Sequence, residues 1–330
     1  MKTPQPIVDF AATGRYLPSR VLTNDDLEKI VDTNDEWIRT RTGIRERRVG
    51  PEDLLAAEMG RASAAQAMER AGVSAEEVDL IVVSTATPDR WLPSTACDIQ
   101  SLLGAENAHA FDVQAACSGW LYALTVAEGF LASRRGDVAL VIATEKMSNI
   151  LDWTDRATCV LFGDGSGAAV LKRTEGDTGI ISSHHGSDGR LAELLYRPAG
   201  GVRQPLDGDV VARRDHLMKM SGREIFKNAV RSMADASERA LQKAGLTGDD
   251  IDLMIPHQAN IRIIESTAKY AGIPMDKVYV NVDRYGNMSS ASIPVAFDEA
   301  REEGRVQPGM NILTATFGAG LTWGAMVWRT

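Results

Sequence analysis

Ala67-Met-Glu-Arg-Ala-Gly-Val-Ser-Ala-Glu-Glu-Val-Asp-Leu-Ile-Val-Val-Ser-Thr-Ala86 is answered 173 residues later by Ala240-Leu-Gln-Lys-Ala-Gly-Leu-Thr-Gly-Asp-Asp-Ile-Asp-Leu-Met-Ile-Pro-His-Gln-Ala259. Ala67, Ala71, Gly72, Asp79, Leu80 and Ala86 recur as Ala240, Ala244, Gly245, Asp252, Leu253 and Ala259, and the remaining positions mostly keep their character. An internal repeat bounds the architecture before any single motif does. Each copy reads as a helix, a glycine stop, an acidic turn and a buried strand. A second pair of strands stands at the same offset, Gly136-Asp-Val-Ala-Leu-Val-Ile-Ala-Thr144 facing Gly309-Met-Asn-Ile-Leu-Thr-Ala-Thr-Phe317. Between these anchors the halves are expected to slip by a few residues. The strand over 108–113 and the loop holding Cys117 then correspond to a strand Val278–Asp283, a loop Arg284–Ser290 and a helix from Ser292 to Arg301. Strands alternating with helices imply mostly parallel, buried sheets, with functional groups at the strand ends. The chain is predicted to be a duplicated α/β protein with halves at 1–175 and 176–330, whose two sets of loops meet at one site.

The 330 residues are ample for a buried interior, and their composition is that of an ordinary globular protein. A net charge of −9 argues against general nucleic-acid binding, which depends on lysine and arginine to neutralise phosphates. Cys97, Cys117 and Cys159 are an odd number without paired or metal-ligand spacing, so neither a disulfide framework nor a zinc site is suggested. Met1-Lys-Thr-Pro-Gln-Pro-Ile7 lacks an apolar stretch of signal-peptide length, and no apolar run approaches the roughly 20 residues of a membrane span. A soluble cytoplasmic protein is expected, with no metal and no membrane partner. Gly163-Asp-Gly-Ser-Gly167 looks like a phosphate loop, but Ala168–Lys172 continues as a strand rather than a helix, which speaks against dinucleotide binding. His184 and His185 are adjacent and point to opposite sides of an extended chain, so they share no metal.

Cys117 lies in Phe111-Asp-Val-Gln-Ala-Ala-Cys-Ser-Gly-Trp120, where a strand pattern breaks and Trp120, Leu121, Leu124, Ala127, Phe130 and Leu131 begin a helical one. A cysteine at a helix N-terminus is expected to favour thiolate, since unpaired N–H groups and the helix dipole stabilise the anion. Free cysteine is also among the most buried residue types, so the thiol alone decides nothing. His257, in Leu253-Met-Ile-Pro-His-Gln-Ala-Asn-Ile-Arg262, follows the strand of the second repeat, and Asn287 lies in the loop matched to that of Cys117. Singly, each has a structural explanation as a satisfied histidine or a turn asparagine. Jointly they suit nucleophilic acyl chemistry, with the thiol as nucleophile, the imidazole managing protons and the amide donating to a carbonyl oxygen. A papain-like thiol hydrolase also runs Cys, His, Asn in chain order, although this chain lacks that family's local signature.

Longer motifs narrow the choice. Thr33-Asn-Asp-Glu-Trp-Ile-Arg-Thr-Arg-Thr-Gly-Ile-Arg-Glu-Arg47, Ala115-Ala-Cys-Ser-Gly119, Phe162-Gly-Asp-Gly-Ser-Gly-Ala-Ala169, His257-Gln-Ala-Asn-Ile-Arg262, Tyr285-Gly-Asn-Met-Ser-Ser290 and Phe317-Gly-Ala-Gly-Leu-Thr-Trp-Gly324 stand in order. Over nearly its whole length the chain resembles the thiolase-fold condensing enzymes, and within them β-ketoacyl-acyl-carrier-protein synthase III. The resemblance implies a thiolase-like duplicated fold, layered αβαβα with two mixed sheets. It implies decarboxylative condensation of an acyl-CoA primer with malonyl-acyl carrier protein, at the start of type II fatty-acid synthesis, with no cofactor and a homodimeric assembly. Its catalytic triad falls on Cys117, His257 and Asn287, and its oxyanion hole on the backbone N–H groups of Cys117 and Ala319. Trp37, Arg41 and Arg156 match its coenzyme A contacts, and Arg262 its carrier-protein contact, a patch that Arg223, Lys227, Arg231 and Lys269 would widen. Ala319 stands where many members carry glycine, and Arg223 where asparagine is common. The loop over 87–93, with Trp91 and Leu92, is slightly longer than usual and is expected to shape the acyl pocket. A specialised secondary-metabolism ketosynthase of the same fold is the alternative.

Overall fold

The computed structural model describes residues 7–330. Both repeat units fold as their sequences dictate. The helix Ala56–Ala71 ends at Gly72 (φ 60°) and the helix Gly222–Ala244 ends at Gly245 (φ 70°), left-handed caps that glycine adopts without strain. A short acidic 3-10 turn follows each cap, at Ala75–Glu77 and Gly248–Asp250, and then a buried strand, Leu80–Ser84 or Leu253–Met254. Leu80 pairs with Ala139, and 173 residues on, Leu253 pairs with Ile312, both in parallel.

Two sheets result. The first has the order Val8–Tyr16, Asp164–Arg173, Val138–Lys146, Leu80–Ser84, His109–Val113, and the second Leu253–Met254, Asn311–Gly318, Thr322–Arg329, Gly179–Ser187. They are mixed rather than mostly parallel, because Asp164–Arg173 and Thr322–Arg329 return antiparallel beside the strands before them without a crossover α-helix.

Strand alternation then sets the layers. Val82, Val141 and Ala169 of the first sheet, and Ile312 and Met326 of the second, face a shared apolar core filled by Leu121, Leu124, Ala127 and Leu131 of the helix Gly119–Ala132 and by Ile293, Ala296 and Phe297 of the helix Ser292–Glu302. Ile81, Leu140 and Ile142 turn outward onto the helices Ala56–Ala71 and Thr95–Leu103, and Leu313 and Ala315 onto Gly222–Ala244 and Ile261–Tyr270. The order is helix, sheet, helix pair, sheet, helix. Thus the two central helices carry their N-terminal loops to a common place.

One expected element is absent. Val278–Asp283 is not a strand: Val278 makes a single bridge to Met254, and Val282–Tyr285 is a helical turn. The Gln258 side chain accepts from the N–H groups of Asn281 (2.9 Å) and Val282 (3.2 Å), replacing a neighbouring strand and drawing the chain out of the sheet. Nor do the halves slip at the loops that matter. Ala116 (φ 46°) and Ser289 (φ 49°) are both left-handed and lie 173 residues apart, each opening a 3-10 turn that runs into a central helix. Among the described residues, no helix is long and apolar enough to cross a membrane.

Candidate active site

Cys117 sits in the turn Ala116–Ser118, immediately before the helix Gly119–Ala132. The second half grips this turn by its carbonyls. Thr316 Oγ1 donates to Cys117 O (2.8 Å), and Thr322 Oγ1 donates to Ala115 O (2.9 Å) and to Ala319 O (3.1 Å). Gly318 passes so close that a Cβ there would lie 2.7 Å from Cys117 N.

His257 lies three residues past the short second-repeat strand, its N–H donating to Ala315 O (2.9 Å), and the imidazole is buried. Gln258, next in sequence, ties this loop to the following one: Nε2 donates to Tyr279 O (3.1 Å) while Oε1 accepts from Asn281 and Val282. Glu299 pins the same segment from the central helix, accepting from Tyr279 (3.1 Å), Asn281 (2.9 Å), Tyr285 (2.6 Å) and both terminal nitrogens of Arg284 (3.0 Å each). Asn287 follows, held by its own backbone: its N–H donates to Leu161 O (2.8 Å) and its carbonyl accepts from Gly163 N (3.0 Å). The Asn287 side-chain oxygen accepts from Ser289 N (2.8 Å), which leaves the amide N–H groups as the donors available to a substrate.

Two cavities meet at Cys117. One, of about 190 Å³, is lined by Cys117, His257, Asn287, Phe226, Ile263 and Phe317. The other, of about 650 Å³, has apolar walls from Trp91, Met147, Ile150, Leu195 and Met218, with Ala319 and Ser289 beside the thiol. Trp91 therefore lines the cavity of its own chain, whereas Leu92 projects 86% exposed into solvent.

Burial overrides the helix terminus in setting the charge of the thiol. It pushes Cys117 up to about 12, with a contribution from the Glu145 carboxylate in the same direction, against the hydroxyl of Ser289. The expectation of a resting thiolate is thus corrected: the dipole of one turn does not offset complete desolvation. Burial likewise lowers His257 to about 4, so the imidazole rests neutral, with one donor and one acceptor nitrogen.

The outer residues take separate places. Arg41 and Arg156 lie over the Trp37 ring, 4.6 and 5.3 Å from its centroid, and Arg156 Nη1 donates to Asp32 O (3.0 Å). Asn260 Nδ2 donates to Arg41 O (2.9 Å), joining this aromatic-guanidinium stack to the histidine loop. Arg262 is exposed over Phe226, 5.8 Å from the ring centroid, and Phe226 in turn lines the smaller cavity. Gln258, Glu299, Ser289 and Glu145 were not singled out from sequence. The 173-residue offset held the signal for one of them, since it pairs Cys117 with Ser290 and Glu145 with Gly318.

Two family models match the chain, "3-oxoacyl-(acyl-carrier-protein) synthase III" over residues 111–189 and its C-terminal counterpart over 241–330. A β-ketoacyl-(acyl-carrier-protein) synthase III of Symbiobacterium thermophilum is 51% identical over 322 residues, covering 98% of each chain. The crystal structure of the 3-oxoacyl-(acyl-carrier-protein) synthase III of Aquifex aeolicus superposes with a TM-score of 0.91 at 47% identity, covering 98% of this chain and 100% of that one. A priming β-ketosynthase of a polyketide pathway superposes with a TM-score of 0.91 at 35% identity, covering 100% of this chain and 98% of that one.

Proposed function

The chain belongs to the 3-oxoacyl-(acyl-carrier-protein) synthase III family, and from that membership we propose how its residues divide the reaction. The protein is an acyltransferase of type II fatty-acid initiation, which condenses an acyl-CoA primer with malonyl-acyl carrier protein to give a 3-oxoacyl-acyl carrier protein, carbon dioxide and CoA. In our reading the thiol of Cys117 attacks the primer thioester, its proton passing to the neutral His257 and on to the departing CoA sulfur. The N–H groups of Cys117 and Ala319 hold the oxyanion. Malonyl thioester then enters the same site, where His257 and Asn287 donate to its carbonyl oxygen while carbon dioxide leaves. The resulting enolate attacks the acyl carbon on Cys117 and breaks the thioester, and the departing sulfur takes up a proton from solvent to restore the thiol.

The observation that carries this division is the junction itself: one buried neutral thiol and one buried neutral imidazole, with an asparagine whose amide oxygen is already engaged, where two cavities meet. The smaller cavity suits the pantetheine arm, with Trp37, Arg41 and Arg156 for the nucleotide and Arg262 for the carrier protein. The larger suits the acyl chain, with Trp91 among its walls and Leu92 exposed on the same loop. No resident cofactor has a part. We take 1–175 and 176–330 as the two halves, and a homodimer as the assembly. The edge strand His109–Val113 exposes Phe111 (39%), and the loop over 87–93 exposes Trp91 (67%) and Leu92. Sedimentation at the mass of one chain would remove the dimer.

Intact-mass analysis after incubation with acetyl-, isobutyryl- and longer acyl-CoA tests the mechanism. Cys117→Ala should give no adduct; His257→Ala should acylate more slowly for want of its proton carrier, Asn287→Ala should acylate as wild type does, and both should fail to decarboxylate malonyl-acyl carrier protein. An acyl adduct persisting in Cys117→Ala, or its absence from both other variants, overturns the assignment. The adducts formed by the wild type also report primer range, where a fatty-acid and a polyketide-priming role diverge.

A further inference from the structure

The duplication supplies the catalytic elbow with an internal twin. At an offset of 173 residues Ala116 corresponds to Ser289, Cys117 to Ser290, and Gly119 to Ser292. The twin turns share their left-handed first residue, φ 46° and 49°, and both lead into central helices. Their flanking strands also correspond, so that Gly318, at the end of Asn311–Gly318, takes the place that Glu145 has at the end of Val138–Lys146.

The two elbows are held from opposite sides. At the Cys117 elbow, threonine hydroxyls donate to the carbonyls of Ala115 and Cys117, and Gly318 offers no side chain over the Cys117 N–H. At the Ser290 elbow a carboxylate fills that position. Glu145 Oε1 accepts from Ser290 Oγ (2.7 Å) and Ser290 N (3.4 Å), and Oε2 accepts from Ala86 N (3.0 Å) and Thr87 Oγ1 (2.8 Å). Both oxygens are met by donors, which counter the burial that pushes this carboxyl above the ordinary carboxylate range.

We infer that Glu145 is a positioning residue for Asn287: it occupies, at the second elbow, the anion position that Gly318 leaves open at the first, and so fixes the peptide run to which the asparagine amide is bonded. The link is short. Ser289 N donates to the Asn287 side-chain oxygen, and the next N–H along the chain, that of Ser290, is the one that faces Glu145. Between them lies Ser289, in a left-handed backbone region that a non-glycine residue keeps only where its surroundings over-determine it. Without the carboxylate, that residue is free to relax and to turn the Asn287 amide away from its substrate.

This inference rests on the proposed role of Asn287, and the experiment separates the two. Glu145→Ala and Glu145→Gln are compared with wild type for acylation of Cys117 by acetyl-CoA and for decarboxylation of malonyl-acyl carrier protein. A misplacement of about 1 Å costs on the order of 100-fold in rate, so Glu145→Ala should decarboxylate about 100-fold more slowly. Glutamine keeps the volume and one acceptor oxygen, and should restore about tenfold of that loss. Both variants should acylate within about threefold of wild type. Decarboxylation within twofold of wild type in either variant, or parallel loss of both half-reactions, overturns the inference. Should the alanine variant fail to fold, the glutamine variant alone decides by the same two rates. A wild type that acylates but never decarboxylates overturns the underlying role of Asn287 instead, and this inference with it.

Discussion

Gly318→Ala is the smallest change that reaches the nucleophile. An ideal Cβ at this position meets Cys117 N at 2.7 Å, Ser118 N at 3.0 Å and Ala115 O at 3.1 Å, all of them backbone atoms. Ordinary contacts of carbon lie near 3.5–4.0 Å, so the two segments must separate by about 0.5–1 Å. Neither segment yields alone. Gly318 ends a strand paired to Thr322 in the antiparallel ladder, and the Cys117 turn is bonded to Thr316 on that same strand. Overpacking of this kind costs about 1–3 kcal/mol of stability, and a displacement approaching 1 Å at the oxyanion N–H costs on the order of 100-fold in rate. Rapid-quench intact-mass measurement of Cys117 acylation should therefore fall by about 30- to 100-fold, with a modest drop in denaturation midpoint. Gly129→Ala serves as the control, since a Cβ there meets nothing within 4 Å and the residue lies mid-helix in Gly119–Ala132. It should stabilise the protein by about 0.5–1 kcal/mol and leave acylation unchanged. Acylation by Gly318→Ala within threefold of wild type would refute the close-approach argument.

His257 gives stability a sign with pH. Buried, it titrates near 4 in the folded chain and near 6.5 when unfolded, so only the unfolded state takes up a proton between those values and stability falls as pH drops from 6.5 towards 4. Urea titrations at pH 7 and pH 5 should show wild type losing about 2 kcal/mol more than His257→Gln, and equal losses would contradict a buried neutral imidazole. Trp37→Ala should raise KM for acyl-CoA about tenfold, from the loss of roughly 1–2 kcal/mol of stacking, while leaving the rate with an acyl-pantetheine thioester unchanged. A comparable loss with both substrates would place Trp37 outside the nucleotide site.

The repeat made the architecture legible because its signals are local. A glycine at 72 and 245 stops a helix, an acidic turn follows, and the next apolar run is a strand, all within twenty residues. Cys117, His257 and Asn287 were legible for a related reason, as each lies where such a local pattern breaks. Interactions across the halves were not. The run Val278–Asp283 is apolar enough to be a strand, but the side chains of Gln258, some twenty residues earlier, and Glu299, some twenty later, hold it out of the sheet. The thiol's protonation was misjudged for the same reason. A helix terminus is visible in sequence, whereas the complete burial supplied by the second half is not. Glu145 reads as one more charged residue after a buried strand until the offset places it opposite Ser290.

The electrostatic design follows from that burial. A thiol pushed up and an imidazole pushed down leave the resting pair uncharged, in keeping with the uncharged thioester group on which it acts. Charge then develops only during reaction, as an oxyanion at the acyl carbon and as an enolate after carbon dioxide departs. Fixed donors gain most in such a setting, because they need no reorganisation when the charge forms and little water competes for it. The neighbouring Glu145 carboxyl stands a short way from Cys117, and burial raises it above the ordinary carboxylate range. Its Oε1 is met by Ser290 of the second elbow and its Oε2 by Ala86 N and Thr87 Oγ1 of the first half, and it adds to the burial that pushes the Cys117 thiol up while leaving the Cys117 N–H open. Two copies of one elbow are thereby put to opposite uses. On the proposed mechanism, one is closed around the Glu145 carboxyl and holds Asn287 still, and the other is kept open by Gly318 for an anion that exists only while a bond is being made.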